Sequence, residues 1–453
     1  MTNVVMVHTD DTGRYIGPYG HNIDTPRLEA LADDGLLFRQ AFCAGPTCSP
    51  SRSAVMTGQS PHVNGMIGLA HRGFSLADPD RHLANYLRTH GVETVLSGQQ
   101  HEARGDDWHD ELTYDTVLER DDSILDGRTV DGNDATPRDL ANANAAGAFL
   151  RERPADADPF FMSVGLYNTH QPMPLEQTTV DPDRVQPPAP LPDVPAVREE
   201  MAAYHVLAQY VDECVGLVVD GLAEGGHLDN TVVVFTTDHG IAFPSMKCDL
   251  WDAGIGVSLV MRFPDGTRAG EVEDELASTM DLYPTFCELL DVPVPPETEG
   301  VSLLPLVTGS ADMVRERVYS EVTYHAAYEP KRCVRTRRYK YIERFDEAYT
   351  REVGPNTDDG PSKRFLMERG FLERNRPRVA LYDLYHDPNE RTNLADDPAH
   401  ADVRESLANQ VHDWMVETDD PLLDGPVSKP DGAVADRQDG VHPGDKYEPA
   451  DAR

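Results

Sequence analysis

Basic residues, and lysine above all, are scarce in this sequence. Its 453 residues include 79 acidic and 40 basic ones, a formal net charge of −39, and only six of the basic residues are lysines. This balance excludes nucleic-acid binding, because that function needs a basic surface. Acidic residues spread along a lysine-poor chain are typical of a high-salt cell, where ions screen the repulsion between like charges.

Long apolar segments are missing as well. No run of 18 apolar residues occurs in the chain, whereas a membrane-spanning helix needs about 20. Residues 1–8 lead directly into a strand-like run, without the charged region, apolar core and cleavage site of a secretory signal. We therefore expect no membrane association and a cytoplasmic location.

The cysteines do not form any spacing that is typical of a structural site. The chain contains no Cys-x-x-Cys pair, which excludes a zinc ribbon. Without a secretory signal we expect reduced thiols. A metal-binding or disulfide role stays open for Cys43 and Cys48, which four residues separate. The cysteines are Cys43, Cys48, Cys214, Cys248, Cys287 and Cys333.

Short apolar runs alternate with amphipathic segments through most of the chain. This alternation predicts an α/β fold with a mainly parallel sheet that helices cover on both faces. In such sheets, functional residues lie at the carboxyl ends of the strands. Strands are predicted over residues 3–8, 93–97, 160–166, 231–236 and 258–262. Helices are predicted over residues 25–35, 82–90 and 201–221.

The pattern changes near residue 310. Short strand-like segments around 339–344, followed by a helical pattern over 403–417, predict a smaller α+β subdomain. We therefore expect a catalytic domain over 1–310 and a C-terminal subdomain over 311–418. The polar residues 419–453 are predicted to be a partly disordered tail.

Carboxylates follow two of the predicted strands. Asp10 and Asp11 come directly after the first strand, and Asp238 follows the strand over 231–236. A solvated turn is the plain alternative in so acidic a chain. At neighbouring strand ends, however, these side chains would converge, and carboxylate oxygens suit Ca²⁺ or Mg²⁺. The sequence thus predicts a divalent-metal site at this edge.

Residues 48–52 read Cys-Ser-Pro-Ser-Arg and precede a helix-forming run. Because Pro50 fits only the first turn of a helix, Cys48 is predicted to lie at a helix N-terminus. Free N–H groups and the helix dipole attract an anion there. The alternative is a small buried cysteine. The pattern resembles the formylglycine signature of the type I sulfatases.

This resemblance extends over residues 3 to 400. It implies an alkaline-phosphatase-like mixed sheet between helices, and the hydrolysis of a sulfate ester or sulfamate of a small substrate such as a sulfated sugar. Further stretches that carry it are 4–11, 25–31, 235–240 and 381–394. Within the family, similarity to the N-sulfoglucosamine sulfohydrolases (heparan sulfamidases) lies in residues 48–52, 64–69, 240–245, 321–323 and 332–336.

The resemblance also implies a modified nucleophile and a metal. The formylglycine-generating machinery of the host would oxidise Cys48, and the hydrate of the resulting aldehyde would attack sulfur. The metal would be Ca²⁺, with Mg²⁺ or Mn²⁺ as alternatives. Its ligands would be Asp10, Asp11, Cys48, Asp238 and His239.

Four further side chains receive roles from the resemblance. Arg52 would orient the hydrate, His101 would act as the base when sulfate leaves, and His170 would protonate the leaving group. Lys247 would bind the sulfate. It is the only lysine among the first 330 residues, and a chain that otherwise avoids lysine favours a functional role for this one.

Two residues depart from the family pattern. Gln99 stands where the family usually has a lysine, which removes one positive charge from the site. His239 stands where asparagine is commoner, and an imidazole shifts metal preference away from Ca²⁺. Two alternatives therefore stay open: a phosphomonoester or phosphonate hydrolase of the same superfamily, and a non-catalytic protein that binds sulfated glycans.

Overall fold

The computed structural model describes residues 2–105, 108–125, 135–154, 157–176 and 178–447, in which the strands form two sheets. The strands are β1 (Asn3–Thr9), β2 (Leu36–Phe42), β3 (Glu93–Gly98), β4 (Thr116–Leu118), β5 (Phe160–Gly165), β6 (Thr231–Thr237), β7 (Leu259–Arg262), β8 (Glu271–Ser278), β9 (Arg317–Tyr324), β10 (Tyr328–Thr336), β11 (Tyr339–Arg344) and β12 (Val379–Asp383). The α-helices are α1 (Pro26–Asp33), α2 (Cys48–Thr57), α3 (Pro61–Asn64), α4 (Leu83–Thr89), α5 (Ala135–Glu152), α6 (Pro195–Gly225), α7 (Asp252–Ile255), α8 (Leu282–Leu289), α9 (Leu304–Val307), α10 (Pro361–Met367) and α11 (Ala401–Glu417).

The larger sheet has eight strands in the order β4-β3-β5-β1-β6-β7-β2-β8. Only β7 runs antiparallel to its neighbours β6 and β2, and the other pairs in this sheet are parallel. The strand β1 lies near the middle, between β5 and β6. This is the mixed α/β sheet that the sequence predicts.

Both faces of this sheet are buried, as the alternating side chains of β1 show. Val4 and Met6 belong to one apolar cluster, and Val5 and Val7 belong to another on the opposite face. A strand that is apolar on both faces is typical of a sheet with helices on both sides. The prediction of a doubly covered sheet is confirmed.

Helices α5 and α6 cover one face, and α2, α4 and α8 supply side chains to the other. Helix α6 has 31 residues and begins at Pro195, six residues before the predicted start at Met201. Proline is favoured in the first turn, where its missing N–H leaves no intrahelical bond unmade. The helix ends before Gly226, whose φ of 75° suits glycine.

A second, antiparallel sheet with the order β12-β11-β10-β9 forms the C-terminal subdomain, with α11 packed on it. It joins the larger domain closely, since the backbone N–H of Glu321 donates to the carbonyl of Ala44 at 2.8 Å. The smaller α+β subdomain is thus confirmed as a unit. We propose that the boundary lies near residue 310, as the change of pattern predicts.

Residues 419–447 differ from the partly disordered tail that the sequence predicts. Leu422, Ala433 and Ala435 are buried in apolar clusters, and Asp436 is fully buried. The carboxylate of Asp436 forms an ion pair of 3.2 Å with Arg72. This segment therefore packs against the fold through small apolar and charged side chains. Residues 448–453 of the predicted tail lie outside the described residues.

Across the described ranges, no helix combines the length and apolar character needed to cross a membrane.

Arg332 is the largest fully buried charged side chain of the subdomain. Its guanidinium donates to Asp420 at 2.6 Å and lies 3.0 Å from a carboxylate oxygen of Glu321. Removing a buried cation leaves its carboxylates uncompensated in a medium of low dielectric constant. The subdomain therefore depends on this ion-pair network.

We predict that Arg332→Met lowers the free energy of unfolding by about 3–5 kcal/mol, because two buried carboxylates lose their partner. Urea denaturation at fixed high salt measures the change. Arg184→Met is the matched control: its side chain is 86% exposed, and its effect should stay within about 0.5 kcal/mol. Equal, small effects of both changes would contradict a stabilising role for the network.

Candidate active site

The predicted metal ligands that follow β1 and β6 converge because these two strands are paired in register. Thr9 lies opposite Thr237 in this pairing, so the residues that follow both strands leave the sheet side by side. The backbone N–H of Asp11 donates to Asp238 Oδ1 at 3.0 Å, and that of His239 donates to the same oxygen at 2.8 Å. These bonds fix one carboxylate oxygen of Asp238 and leave the other free to face its neighbours.

Helix α2 brings Cys48 to the same place. Cys48 is the first residue of this helix, as the proline two positions later predicts. Each of five buried side chains offers a ligand atom, and these atoms lie within 4.8 Å of one another. The structure thus brings together every residue of the predicted metal set: Asp10, Asp11, Cys48, Asp238 and His239.

Unpaired polar atoms fit a cation at the centre of this cluster. Asp10 Oδ1, Asp11 Oδ1, Asp238 Oδ2 and His239 Nε2 are buried, and none has a hydrogen-bond partner among the described residues. Leaving such atoms without partners is costly, and a divalent cation bound by carboxylate oxygens and an imidazole nitrogen would satisfy all four.

The orientation of His239 supports this interpretation. Its Nδ1 lies 2.9 Å from the carbonyl oxygen of Gly240 and must donate the proton there, so Nε2 carries a lone pair. Burial, and next the charge of Lys247, lower the pKa of His239 to about 3. The ring is therefore neutral at ordinary pH and offers a ligand nitrogen, as metal-binding histidines do.

The carboxylates repel one another in this buried setting. Burial raises the pKa of Asp11 and of Asp238 well above the usual value, and the charge of Asp10 raises both further. Burial acts in the same direction on Asp10 and is the largest single effect, but the charges of Arg52, His170 and Lys247 together outweigh it and lower the pKa of Asp10. A divalent cation would remove this repulsion, since it favours all three ionised forms.

Arg52 lies beneath the carboxylates, one helical turn after Cys48. Its guanidinium lies 3.3 Å from Asp10 Oδ2 and 3.4 Å from Asp238 Oδ2. It also donates to the carbonyl of Thr9 at 3.1 Å and to His8 Nδ1 at 2.7 Å. With its side chain only 3% exposed, Arg52 is held rigidly and is not a helix-surface arginine.

Lys247 connects the cluster of five predicted metal ligands to His170. Its ammonium donates to Asp11 Oδ2 at 3.0 Å and to His170 Nε2 at 3.3 Å. Although burial disfavours the charged form, Asp11 and Asp358 raise the pKa of Lys247 well above its usual value. The Nδ1 of His170 donates to the carbonyl of Gln171 at 2.6 Å, so its Nε2 is the acceptor in this arrangement.

His101 lies near the site, but in the part of the chain that the structure describes no hydrogen bond or ion pair joins it to the five clustered residues. Its Nε2 lies 3.1 Å from His71 Nδ1, and the two rings stack with centroids 5.4 Å apart. Burial lowers the pKa of His101 to about 3. Gln99, two residues earlier, reaches the cluster instead and donates to Asp10 Oδ2 at 3.2 Å.

The thiol of Cys48 is a poor nucleophile in this environment. Burial, and next the charge of Asp10, raise its pKa well above the usual value. A thiol attacks as the thiolate, and here the surrounding carboxylates disfavour that form.

Four residues near the site are absent from the sequence-based predictions. His8 accepts from Arg52, His71 pairs with His101, and Asp358 lies 3.1 Å from the ammonium of Lys247. His325 is buried, and the charge of Lys247 adds to burial in lowering its pKa. The position of His8 at the end of β1 was a usable signal. Asp358 lies in an acidic loop that carries no motif.

A cleft of about 940 Å³ opens beside this cluster. Its lining includes His71, Gln99, His101 and His170. Such a cleft is large enough for a sugar ring. It adjoins the cluster through Gln99, which donates to Asp10 Oδ2, and through His170, which accepts from Lys247.

Comparisons with known proteins match this arrangement. The model of the sulfatase family matches residues 2–292, and a model described as N-sulphoglucosamine sulphohydrolase, C-terminal, matches residues 246–364. The human N-sulphoglucosamine sulphohydrolase is 29% identical, over 96% of this chain and 93% of its own length.

Two solved structures are similar in fold. A candidate sulfatase from Bacteroides thetaiotaomicron superposes with a TM-score of 0.72 at 23% identity and covers 95% of both chains. A phosphonate monoester hydrolase from Agrobacterium radiobacter gives a TM-score of 0.68 at 20% identity, over 95% of this chain and all of its own. Both share the alkaline-phosphatase-like architecture. Because the sulfatase model spans more than half of the chain, this protein belongs to the sulfatase family of sulfuric ester hydrolases, as the residues around Cys48 predict.

Proposed function

We propose that this protein hydrolyses a sulfate ester or sulfamate of a small sulfated sugar, with a formylglycine made from Cys48 and one divalent metal. The observation that carries the proposal is the juxtaposition of Cys48 with four unpaired, buried ligand atoms. The human relative named for N-sulphoglucosamine supports a sugar substrate. Maturation enzymes of the host would supply the oxidised side chain.

The metal site would consist of Asp10, Asp11, Asp238, His239 and the modified residue 48. Carboxylate oxygens favour Ca²⁺, with Mg²⁺ or Mn²⁺ as alternatives, and His239 adds a nitrogen that softer ions accept. When bound, this metal would supply positive charge for the sulfate oxygens and for the hydrated aldehyde that attacks sulfur.

Arg52 has a positioning role in this proposal. Its guanidinium holds Asp10 and Asp238 from below and fixes the first turn of α2 against the end of β1. Because Cys48 and Arg52 lie on the same face of that helix, the arginine also sets the direction of side chain 48. The N–H groups at the start of α2 add further positive potential toward an anion.

Lys247 and His170 would bind the sulfate and deliver a proton to the leaving group. The ammonium and His170 Nε2 are 3.3 Å apart and already share a hydrogen bond. An incoming sulfate draws on the same ammonium, and the leaving nitrogen or oxygen then receives its proton from this pair. The group that binds the sulfate oxygens and the group that donates the proton would thus lie on the same side of the substrate.

His101 would act as the base that completes the cycle. Its pKa of about 3 keeps the ring neutral, so that it can accept a proton. The contact with His71 positions the ring beside the cleft and passes the proton toward solvent-exposed atoms. This role would explain why His71 and His101 stack on each other in the lining of the cleft.

We predict that Cys48→Ala abolishes sulfatase turnover while the fold remains, because the modified side chain makes the bond to sulfur. Activity and thermal unfolding are measured on protein purified from its native host. Mass spectrometry of the peptide with residue 48 should show an aldehyde in place of the thiol.

The matched control for this variant is Cys43→Ala. Cys43 is as deeply buried as Cys48, at 1% exposure. Because Cys43 does not belong to the cluster of predicted metal ligands, its variant should remain active. Substantial activity of Cys48→Ala, or an unmodified thiol in the native protein, would contradict the formylglycine mechanism.

We predict that a divalent cation stabilises the chelator-treated protein, since it compensates three buried carboxylates. At a free Ca²⁺ concentration 100 times the dissociation constant, the gain is about 2.7 kcal/mol. Thermal unfolding with and without Ca²⁺ or Mn²⁺ measures it.

Asp238→Asn should lose this stabilisation, yet it should be at least as stable as the natural protein without metal, because one repelling charge is gone. Asp80→Asn, at an exposed position, should keep the full response. A metal response that is equal in both variants would place the ion elsewhere.

A phosphonate or phosphomonoester hydrolase is the second candidate. His239 in the metal set and the similarity to the Agrobacterium radiobacter enzyme favour it.

We predict that kcat/KM for an aryl sulfate exceeds that for the matched aryl phosphate. Within the described ranges, Arg52 and Lys247 are the two buried cations paired with the clustered carboxylates, and a phosphate dianion needs more positive charge than a sulfate monoanion. The opposite ratio would favour the phosphohydrolase.

A further inference from the structure

Asp358 places a carboxylate beside Lys247, the proposed sulfate-binding residue. The proposed reaction assigns no role to this carboxylate. Its Oδ2 lies 3.1 Å from the ammonium of Lys247. The same ammonium reaches Asp11 at 3.0 Å and His170 at 3.3 Å. Three groups thus lie within 3.3 Å of the ammonium, and Asp358 is the one that pairs with it by charge alone, because its Oδ2 has no hydrogen-bond partner among the described residues.

The loop around Asp358 is held firmly by its neighbours. The side chain of Asn356 accepts from the backbone N–H of Ala327 at 2.8 Å and donates to Glu329 at 3.1 Å. Lys363 donates to the carbonyl of Thr357 at 2.7 Å and to Asp359 at 2.8 Å. Residues on both sides of Asp358 are thus fixed, which pre-organises its carboxylate.

Asp358 is also on the accessible side of the lysine. Its side chain is 17% exposed and that of His170 is 22% exposed, whereas those of Lys247 and Asp11 are 3% and 0% exposed. Of the three groups within 3.3 Å of the ammonium, Asp358 and His170 are thus the two that solvent reaches. Among the described residues, Asp358 Oδ2 has no hydrogen-bond partner, so lone pairs of this carboxylate are available to a ligand.

We propose that Asp358 is the residue by which this enzyme distinguishes a sulfamate from a sulfate ester: its carboxylate accepts a hydrogen bond from the N–H between sulfur and sugar. This inference rests on the proposed function, because it places the sulfate on Lys247 and the atom that leaves sulfur beside His170. The bridging nitrogen of a sulfamate carries a hydrogen. The bridging oxygen of an ester carries only lone pairs, which a carboxylate repels.

The proposed hydrogen bond to Asp358 would also accelerate cleavage of the S–N bond. An oxygen of the hydrated aldehyde bonds to sulfur as the S–N bond breaks, and nitrogen keeps the bonding pair. The Lys247–His170 pair transfers a proton to nitrogen before that bond is fully broken, so nitrogen carries partial positive charge in the transition state and leaves as a neutral amine. Its own N–H stays on Asp358, and the hydrogen bond is strongest while nitrogen carries this charge. Asp358 then contributes more in the transition state than in the bound substrate, which raises kcat and not only affinity.

The test uses N-phenylsulfamate and phenyl sulfate, which differ only at the bridging atom, together with N-sulfoglucosamine. Aldehyde-bearing full-length protein and its Asp358→Asn variant are compared by kcat/KM. The ratio of sulfamate to ester kcat/KM should fall about tenfold or more in the variant, as expected for a lost hydrogen bond to a charged group. Comparing the two ratios cancels the different intrinsic reactivity of the substrates.

Asp359→Asn is the matched control. Asp359 is the next residue along the chain and faces Lys363 and His442, so its variant should keep the natural ratio. Equal loss for both substrates in Asp358→Asn would show that the carboxylate acts only through Lys247. Unchanged rates would show that it has no role. Either result overturns the inference.

The natural protein supplies an independent test if Asp358→Asn fails to fold. It should cleave N-sulfoglucosamine with a higher kcat/KM than glucosamine 6-sulfate, which presents an ester oxygen. A preference for the ester would overturn the role of Asp358 and leave the sulfatase assignment intact. Aldehyde-bearing protein that cleaves none of these substrates would instead overturn the proposed function.

Discussion

The site depends on the repulsion between carboxylates that the pairing of β1 with β6 forces together. With Thr9 opposite Thr237, Asp10, Asp11 and Asp238 emerge at one buried edge and cannot separate without breaking the central strands of the sheet. The surrounding residues compensate this charge: Arg52 lies below the carboxylates and Lys247 lies beside them. Counting Asp358 as well, four carboxylates face two cations. One divalent cation would neutralise the remaining charge of −2, and the ligand atoms without hydrogen-bond partners support its proposed position among them.

The C-terminal subdomain completes the site and is not only an appendage. His325 lies between β9 and β10 and is buried, with the charge of Lys247 lowering its pKa further, and the loop before α10 supplies Asp358. The bond between Glu321 and Ala44 joins this sheet to the segment that precedes Cys48. Cys48 thus belongs to the larger domain, whereas Asp358, the acceptor proposed for the bridging N–H, comes from the smaller one.

Much of this architecture could be predicted from the sequence, because its signals are local. Apolar runs such as Asn3–Thr9 and Thr231–Thr237 determine strands that end in carboxylates, and Pro50 determines where α2 begins. The contributions of His71 and Asp358 could not be predicted, since they arise from contacts between segments far apart in the chain. The packing of residues 419–447 was missed for a related reason: it uses small side chains such as Ala433 and Ala435, which give no periodic pattern.

The negative charge of the whole chain does not prevent an anion from binding here. Surface charges farther from the site than about 8 Å are largely screened at physiological salt, whereas Lys247 and Arg52 act at contact distance within a buried site. The local balance is therefore decisive, and it is low in positive charge. Gln99 gives a neutral hydrogen bond to Asp10 where the family usually has a lysine, and Asp358 adds a carboxylate. If Asp358 has the role proposed above, such a pocket would favour a substrate with a single negative charge and a hydrogen-bond donor next to it, which describes a sulfamate better than a doubly sulfated sugar.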